Sequence, residues 1–214
     1  MTAHVPVCQK REIRVARLAG LALLASIGAI TLAAVDVWPP TPAQAAQSLP
    51  TSVTVLGKTL VLKDSQGGGP GDKFLAEYIP SDETFDNWTL MFASRFVPGA
   101  GLDPMASAVA TANRISARKQ SGDLLANSAV FKSQDGKSVV VDFLSSEGNI
   151  IEHSVFRYFR TPKGLVSFQI ARRIYANKAE QSDIQAFIKS VKTKRDQIVS
   201  ESMRADLPVS EGAR

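Results

Sequence analysis

Residues 18–35 carry no charged side chain, and four basic residues, Lys10, Arg11, Arg14 and Arg17, stand just ahead of them. That arrangement decides which part of the chain can fold in water. Positive charge is held on the cytoplasmic side during membrane insertion, so the chain beyond the apolar run is passed outward. Asp36, Trp38, Pro39, Pro40 and Pro42 come next, and proline stops a helix because it lacks an amide donor and clashes with the preceding turn. Ala43-Gln44-Ala45 then offers the small residues a signal peptidase accommodates. The expectation is a secretory signal peptide over residues 1–45. An uncleaved membrane anchor over residues 18–38 is the alternative, because an uncharged run of 18 residues exceeds the ~7–15 of a signal core and approaches the ~20 that span a bilayer.

Removing residues 1–45 from 214 leaves 169, enough for one domain with its own core. The chain is 44% hydrophobic and 21% charged, as an ordinary globular protein is. Its formal charge is +5. The four basic and two acidic residues of the leader account for +2, which leaves a diluted +3 on the rest. Nucleic acid wants a concentrated basic stripe, so no nucleic-acid partner is expected. The single cysteine, Cys8, precedes the apolar run. The exported part therefore has no disulfide, thiolate metal site or cysteine nucleophile, and Cys8 is misplaced for a lipoprotein.

Residues 46–52 read as a linker, 53–203 as one domain and 204–214 as a flexible tail. Val53 to Leu62 alternates around Gly57-Lys58 as a strand or hairpin would. The glycine-rich stretch Ser65 to Gly71 reads as a loop, since the Lys-Ser/Thr ending of a phosphate-binding loop is missing. Strands are expected over Lys73–Ile79 and Thr89–Val97, with a compact turn between them. Asp103-Pro104 opens a helix by capping. Met105, Val109, Ala112 and Ile115 give it an apolar face, and Gly122 ends it.

Further strands are expected over Leu124–Lys132, around Val139, Val141 and Phe143, and over Ile150–Arg160. In the last strand Val166, Phe168, Ile170 and Ile174 face one way and Ser167, Gln169 and Arg173 the other, the mark of a half-buried antiparallel sheet. A final helix runs from about Ser182 to Met203, capped by Ser182 or Asp183. Ile184, Phe187, Ile188 and Val191 form its core stripe. Lys189, Lys192, Lys194 and Arg195 form a basic outer face.

This order of strands, middle helix, antiparallel strands and long C-terminal helix, together with Phe74 to Phe96 (FLAEYIPSDETFDNWTLMFASRF), resembles the PsbP/Mog1-like domains. The resemblance implies an α+β fold, an α/β/α sandwich in which helices cover both faces of an antiparallel sheet. It also implies a binding or accessory role.

Chemistry-bearing groups are few. His153 is the one histidine beyond the leader, set in a strand and expected to be partly exposed. A hydrolase would need it beside an acid such as Asp142 or Glu152 and a hydroxyl. Asp82, Glu83 and Asp86 lack the spacing of a calcium loop and suit a turn. No catalytic residue, metal or cofactor is assigned.

Around Asn87-Trp88-Thr89, an apolar pocket lined by Tyr78, Trp88 and Phe92, with Glu77 and Arg95 supplying polarity, is the candidate binding site. The alternative is that Trp88 anchors the turn onto the core. The expected protein is periplasmic or secreted, or inner-membrane anchored if the leader stays. It is a non-enzymatic accessory or binding protein whose partner is an envelope protein or a small apolar ligand, touching membrane only through its N-terminal segment. A membrane-anchored component of a secretion or conjugation apparatus is the second reading.

Overall fold

The structure, a computed structural model, describes residues 49–67, 72–99, 101–204 and 207. The expected leader, whether signal peptide or membrane anchor, and the expected cleavage site lie outside these residues. Eight strands form one fully antiparallel sheet. They are β1 (Ser52–Val55), β2 (Lys58–Gly67), β3 (Phe74–Ile79), β4 (Leu90–Pro98), β5 (Asn127–Lys132), β6 (Ser138–Glu147), β7 (Ile150–Thr161) and β8 (Gly164–Tyr175). The helices are α1 (Pro104–Gln120), between β4 and β5, and α2 (Gln181–Ser202), after β8.

The strand order is β1-β2-β3-β4-β8-β7-β6-β5. Two four-stranded meanders therefore meet along a single seam, β4 against β8, from Leu90 opposite Arg172 to Pro98 opposite Gly164. Gly164 is small for a reason. A Cβ there would strike the carbonyl oxygen of Val97 and the ring of Phe96.

Local chemistry explains the turns. Leu56 and Gly57 both have positive φ, 52° and 76°, the conformation that a tight hairpin turn demands and that Gly supplies without strain. Leu56 holds it against its own preference, with its amide donating to Glu201 Oε1 of α2 at 3.3 Å. Asp103 caps α1 by accepting from the amides of Met105 and Ala106, and Gly122, at φ 103°, closes it. Glu180 occupies the cap position of α2 without a side-chain bond, so the expected Ser182 or Asp183 cap is not used.

Side chains alternate between the two faces of a sheet, and each helix packs on a different set. Ala108 of α1 sits on Val139, Val141, Tyr158 and Leu165. Ile198 of α2 sits in the larger core with Val140, Val155, Phe92 and Phe168. Leu207, expected in a free tail, joins that core at 3% exposure.

This corrects the expected α/β/α sandwich. The described residues form a single eight-stranded sheet with two helices. α1 rests on β5, β6 and β7, and α2 on β6, β7 and β8. Neither is part of a covering layer, and on the α1-side face of β3 and β4 Ile79 and Met91 pack with Trp88 while Glu77 pairs with Arg95. The domain is sheet-dominated because long hairpins, not helices, bury most of the apolar side chains.

The core faces of the helices also shift. In α1 the buried residues are Ala108, Thr111 and Ile115, while Val109 is 43% exposed. In α2, Val191 and Ile198 are buried, whereas Ile184, Phe187 and Ile188 are half-buried.

Candidate functional site

The five residues of the expected pocket are divided by the pleat. Glu77 and Arg95 lie on the α1-side face as an ion pair at 3.6 Å. Arg95 also stands over the Phe156 ring, 5.7 Å from its centroid. Burial raises the pKa of Glu77, against the opposing pull of Arg95. Tyr78 and Phe92 are neighbours of these residues in sequence and so point to the other face. Both are fully buried, with ring centroids 5.8 Å apart. Burial pushes the Tyr78 hydroxyl up to about 12, and that hydroxyl has no hydrogen-bond partner.

Trp88 is buried with Ile79, Met91 and Ala171. Arg173 lies over its ring at 3.7 Å and is held by Glu152 at 2.6 Å. Tyr175 Oη donates to the Trp88 carbonyl. Trp88 therefore anchors its turn on the face opposite to Tyr78 and Phe92. In the same turn Glu83 accepts from the amide and hydroxyl of Thr89, both at 2.6 Å, so this acid stitches the turn. Among the described residues no cluster of His, Cys, Asp or Glu could hold a metal.

What the sequence hid lies on the α2-side face. Four ionisable residues sit in otherwise apolar registers there: Asp142 between Val140 and Leu144, His153 between Ile151 and Val155, Arg157 between Val155 and Phe159, and Arg172 between Ile170 and Ile174. Arg172 is the cross-strand partner of His153, and His153 reaches diagonally to Asp142. Together they cross β8, β7 and β6 as a polar seam beneath α2.

His153 is not the partly exposed strand histidine expected. It is 1% exposed, as is Asp142, and its Nε2 meets Asp142 Oδ1 at 2.6 Å. Arg195 Nε pairs with the other carboxylate oxygen, so Arg195 turns inward from the expected basic outer face. Nδ1 of His153 is buried with no partner. A hydrolase would need a hydroxyl there. The geometry supplies the acid and no hydroxyl among the described residues.

At its β8 end the seam opens into a cleft of about 340 Å³ between the middle of α2, the β1–β2 turn and the start of β4. Leu56, Leu90 and Phe187 give it apolar walls, while Lys58, Arg172, Lys194 and Arg173, the last paired with Glu152, bring cations. No carboxylate lines it. Arg172 is fixed from two sides. Its Nη2 donates to Ser190 Oγ at 2.7 Å, and its guanidinium stands 5.1 Å from the centre of the Phe187 ring. Ser190 in turn donates to the Phe187 carbonyl.

Among the other half-buried arginines, Arg157 donates to the Ser202 carbonyl at 3.3 Å, and the rest each face a carboxylate: Arg95 has Glu77, Arg118 has Asp123, Arg173 has Glu152 and Arg195 has Asp142. Arg172 has none among the described residues. Burial lowers its pKa and no acid pulls it back, and its Nε is buried without an acceptor. Asp142, the acid of the seam, is already bound on both oxygens.

The legible signal was the register of β8. Val166, Phe168, Ile170 and Ile174 read as one buried face, and Arg172 stands in the gap of that series.

These features define a two-helix, single-sheet α+β domain with a cationic cleft at one end of a buried polar seam. A family model matches residues 47–207, about three quarters of the chain, and the chain belongs to that family. No curated protein and no solved structure matches it. None of these comparisons supports a PsbP/Mog1 relationship.

Proposed function

We propose that this is an exported, non-enzymatic accessory or binding protein that takes an anionic group of its ligand or partner into the cleft beside Arg172. One observation carries the reading. Arg172 is a half-buried, oriented cation without a counter-charge among the described residues. A protein that gives up the hydration of a cation normally pairs it, and a cation left waiting in a cleft suits a ligand's anion. Lys58 and Lys194 at the rim add attraction that speeds encounter more than it adds affinity.

Export is supported by the basic-then-apolar pattern of residues 10–35 and the Ala43-Gln44-Ala45 site that follows it. An alkaline phosphatase fusion after position 60 tests it. Activity is expected, and a silent enzyme there beside a bright cytoplasmic reporter would refute export. Crosslinking in the envelope fraction tests the cleft. Arg172→Glu is expected to abolish capture of what the unaltered protein captures, and undiminished capture would refute the assignment.

A further inference from the structure

We infer that the cleft takes a small amphiphile with a single anionic head group, its carboxylate or phosphate on Arg172 and its apolar stem along Leu56, Leu90 and Phe187. The inference rests on the anion-binding reading above and goes further by naming the ligand's chemistry.

Four observations define that chemistry. The charge count asks for one anionic head. The seam holds one carboxylate, Asp142, and two guanidiniums, Arg172 and Arg195, and Asp142 is committed to Arg195 and His153. The cations at the rim, Lys58 and Lys194, are exposed, so water already satisfies them and they need no ligand charge of their own. The walls ask for an apolar stem. Phe187 and Leu56 are half-buried apolar groups facing a concave space of about 340 Å³, within the range of small-molecule sites and too small for a folded partner.

The geometry is set in advance. Ser190 and Phe187 hold the guanidinium, which reduces the ordering cost of binding. Leu56 lines the same cleft in a left-handed backbone conformation held by Glu201, and strain in a non-glycine residue tends to gather at ligand sites.

The test uses the full-length chain and four water-soluble probes: hexanoate, hexyl phosphate, hexanol and inorganic phosphate. Binding is measured by titration calorimetry and by amide shifts near Arg172. Hexanoate and hexyl phosphate are expected to bind at least about tenfold more tightly than hexanol or inorganic phosphate, since each control lacks one half of the recognition. Arg172→Gln is expected to weaken both amphiphiles about 10- to 100-fold, the range for a lost charge-assisted bond. Should that variant fail to fold, the surface pair Lys58→Gln/Lys194→Gln decides, with an expected loss of about two- to fivefold that disappears in high salt.

Equal affinity for inorganic phosphate and hexyl phosphate would overturn the amphiphile and leave the anion site standing. Binding of hexanol as tight as hexanoate would overturn the head group. Absence of all anion binding would overturn the cleft itself, and the proposed function with it.

Discussion

Replacing Asp142 by Asn removes one charge from the polar seam while leaving its volume unchanged, so no cavity enters the measurement. The carboxylate accepts from His153 Nε2 at 2.6 Å and pairs with Arg195 through its second oxygen, and it is 1% exposed. An amide must present its NH₂ to one of two neighbours that are themselves donors. That orphans a buried donor, at about 1–3 kcal/mol, and converts the surviving bond from charged to neutral, at about 1 kcal/mol. Arg195 is 42% exposed and can turn to water, so the larger penalty for stranding a fully buried ion does not apply. The expected loss is about 3 kcal/mol, which for a domain of this size lowers Tm by about 6–12 °C.

Urea unfolding at pH 7 measures it. His153→Leu added to Asp142→Asn completes a double-mutant cycle with an expected coupling of about 1–3 kcal/mol. A destabilisation below about 0.5 kcal/mol, or zero coupling, would refute the view that these residues act as one buried unit.

Two more outcomes are expected from the same geometry. Trp88→Ala is expected to cost about 3–4 kcal/mol, because Trp88 is 3% exposed and Arg173 stacks on it; urea midpoints check this, and a loss under about 1 kcal/mol would mean the turn does not need its anchor. Asp123 is held below the usual carboxylate range: burial raises its pKa, but hydrogen bonds from Ser146, Arg118 and Leu125 outweigh that. A depressed folded pKa contributes stability above the unfolded value near pH 4 and loses it as pH falls through the folded one. Asp123→Asn should therefore lower stability at pH 7 and flatten its decline on acidification, read from midpoints between pH 7 and 3.

Much of the sheet was legible because strand alternation is local. Val139, Val141 and Phe143 do share a face, as do Val166, Phe168 and Ile170, and Asp103-Pro104 does open α1. The arrangement of layers was not legible, because the number of residues a helix covers depends on which strands it reaches. The residues of the expected pocket are divided between two faces for a local reason that was available. Glu77 and Tyr78 are adjacent in one strand, so they cannot share a pocket on a flat sheet. The cleft was harder. Arg172, Leu56 and Phe187 are brought together only when β8, the β1–β2 turn and α2 assemble. His153 read as a partly exposed strand residue, because burial of the His153–Asp142 pair is visible only with Arg195 on another element.

The seam between β4 and β8 has a consequence for how the chain is made. Residues 90–98 wait for residues 164–175 before one side of β4 finds its hydrogen-bond partners. A chain emerging from its amino end has by then completed the first hairpins and presents a bare, apolar rim containing Phe92 and Phe96. Contacts so distant along the chain form slowly, and an unpaired strand recruits whatever backbone is near. Polypeptides cut short before residue 164 would therefore stick to one another, and newly arrived full-length chains would be most in need of a chaperone during that interval.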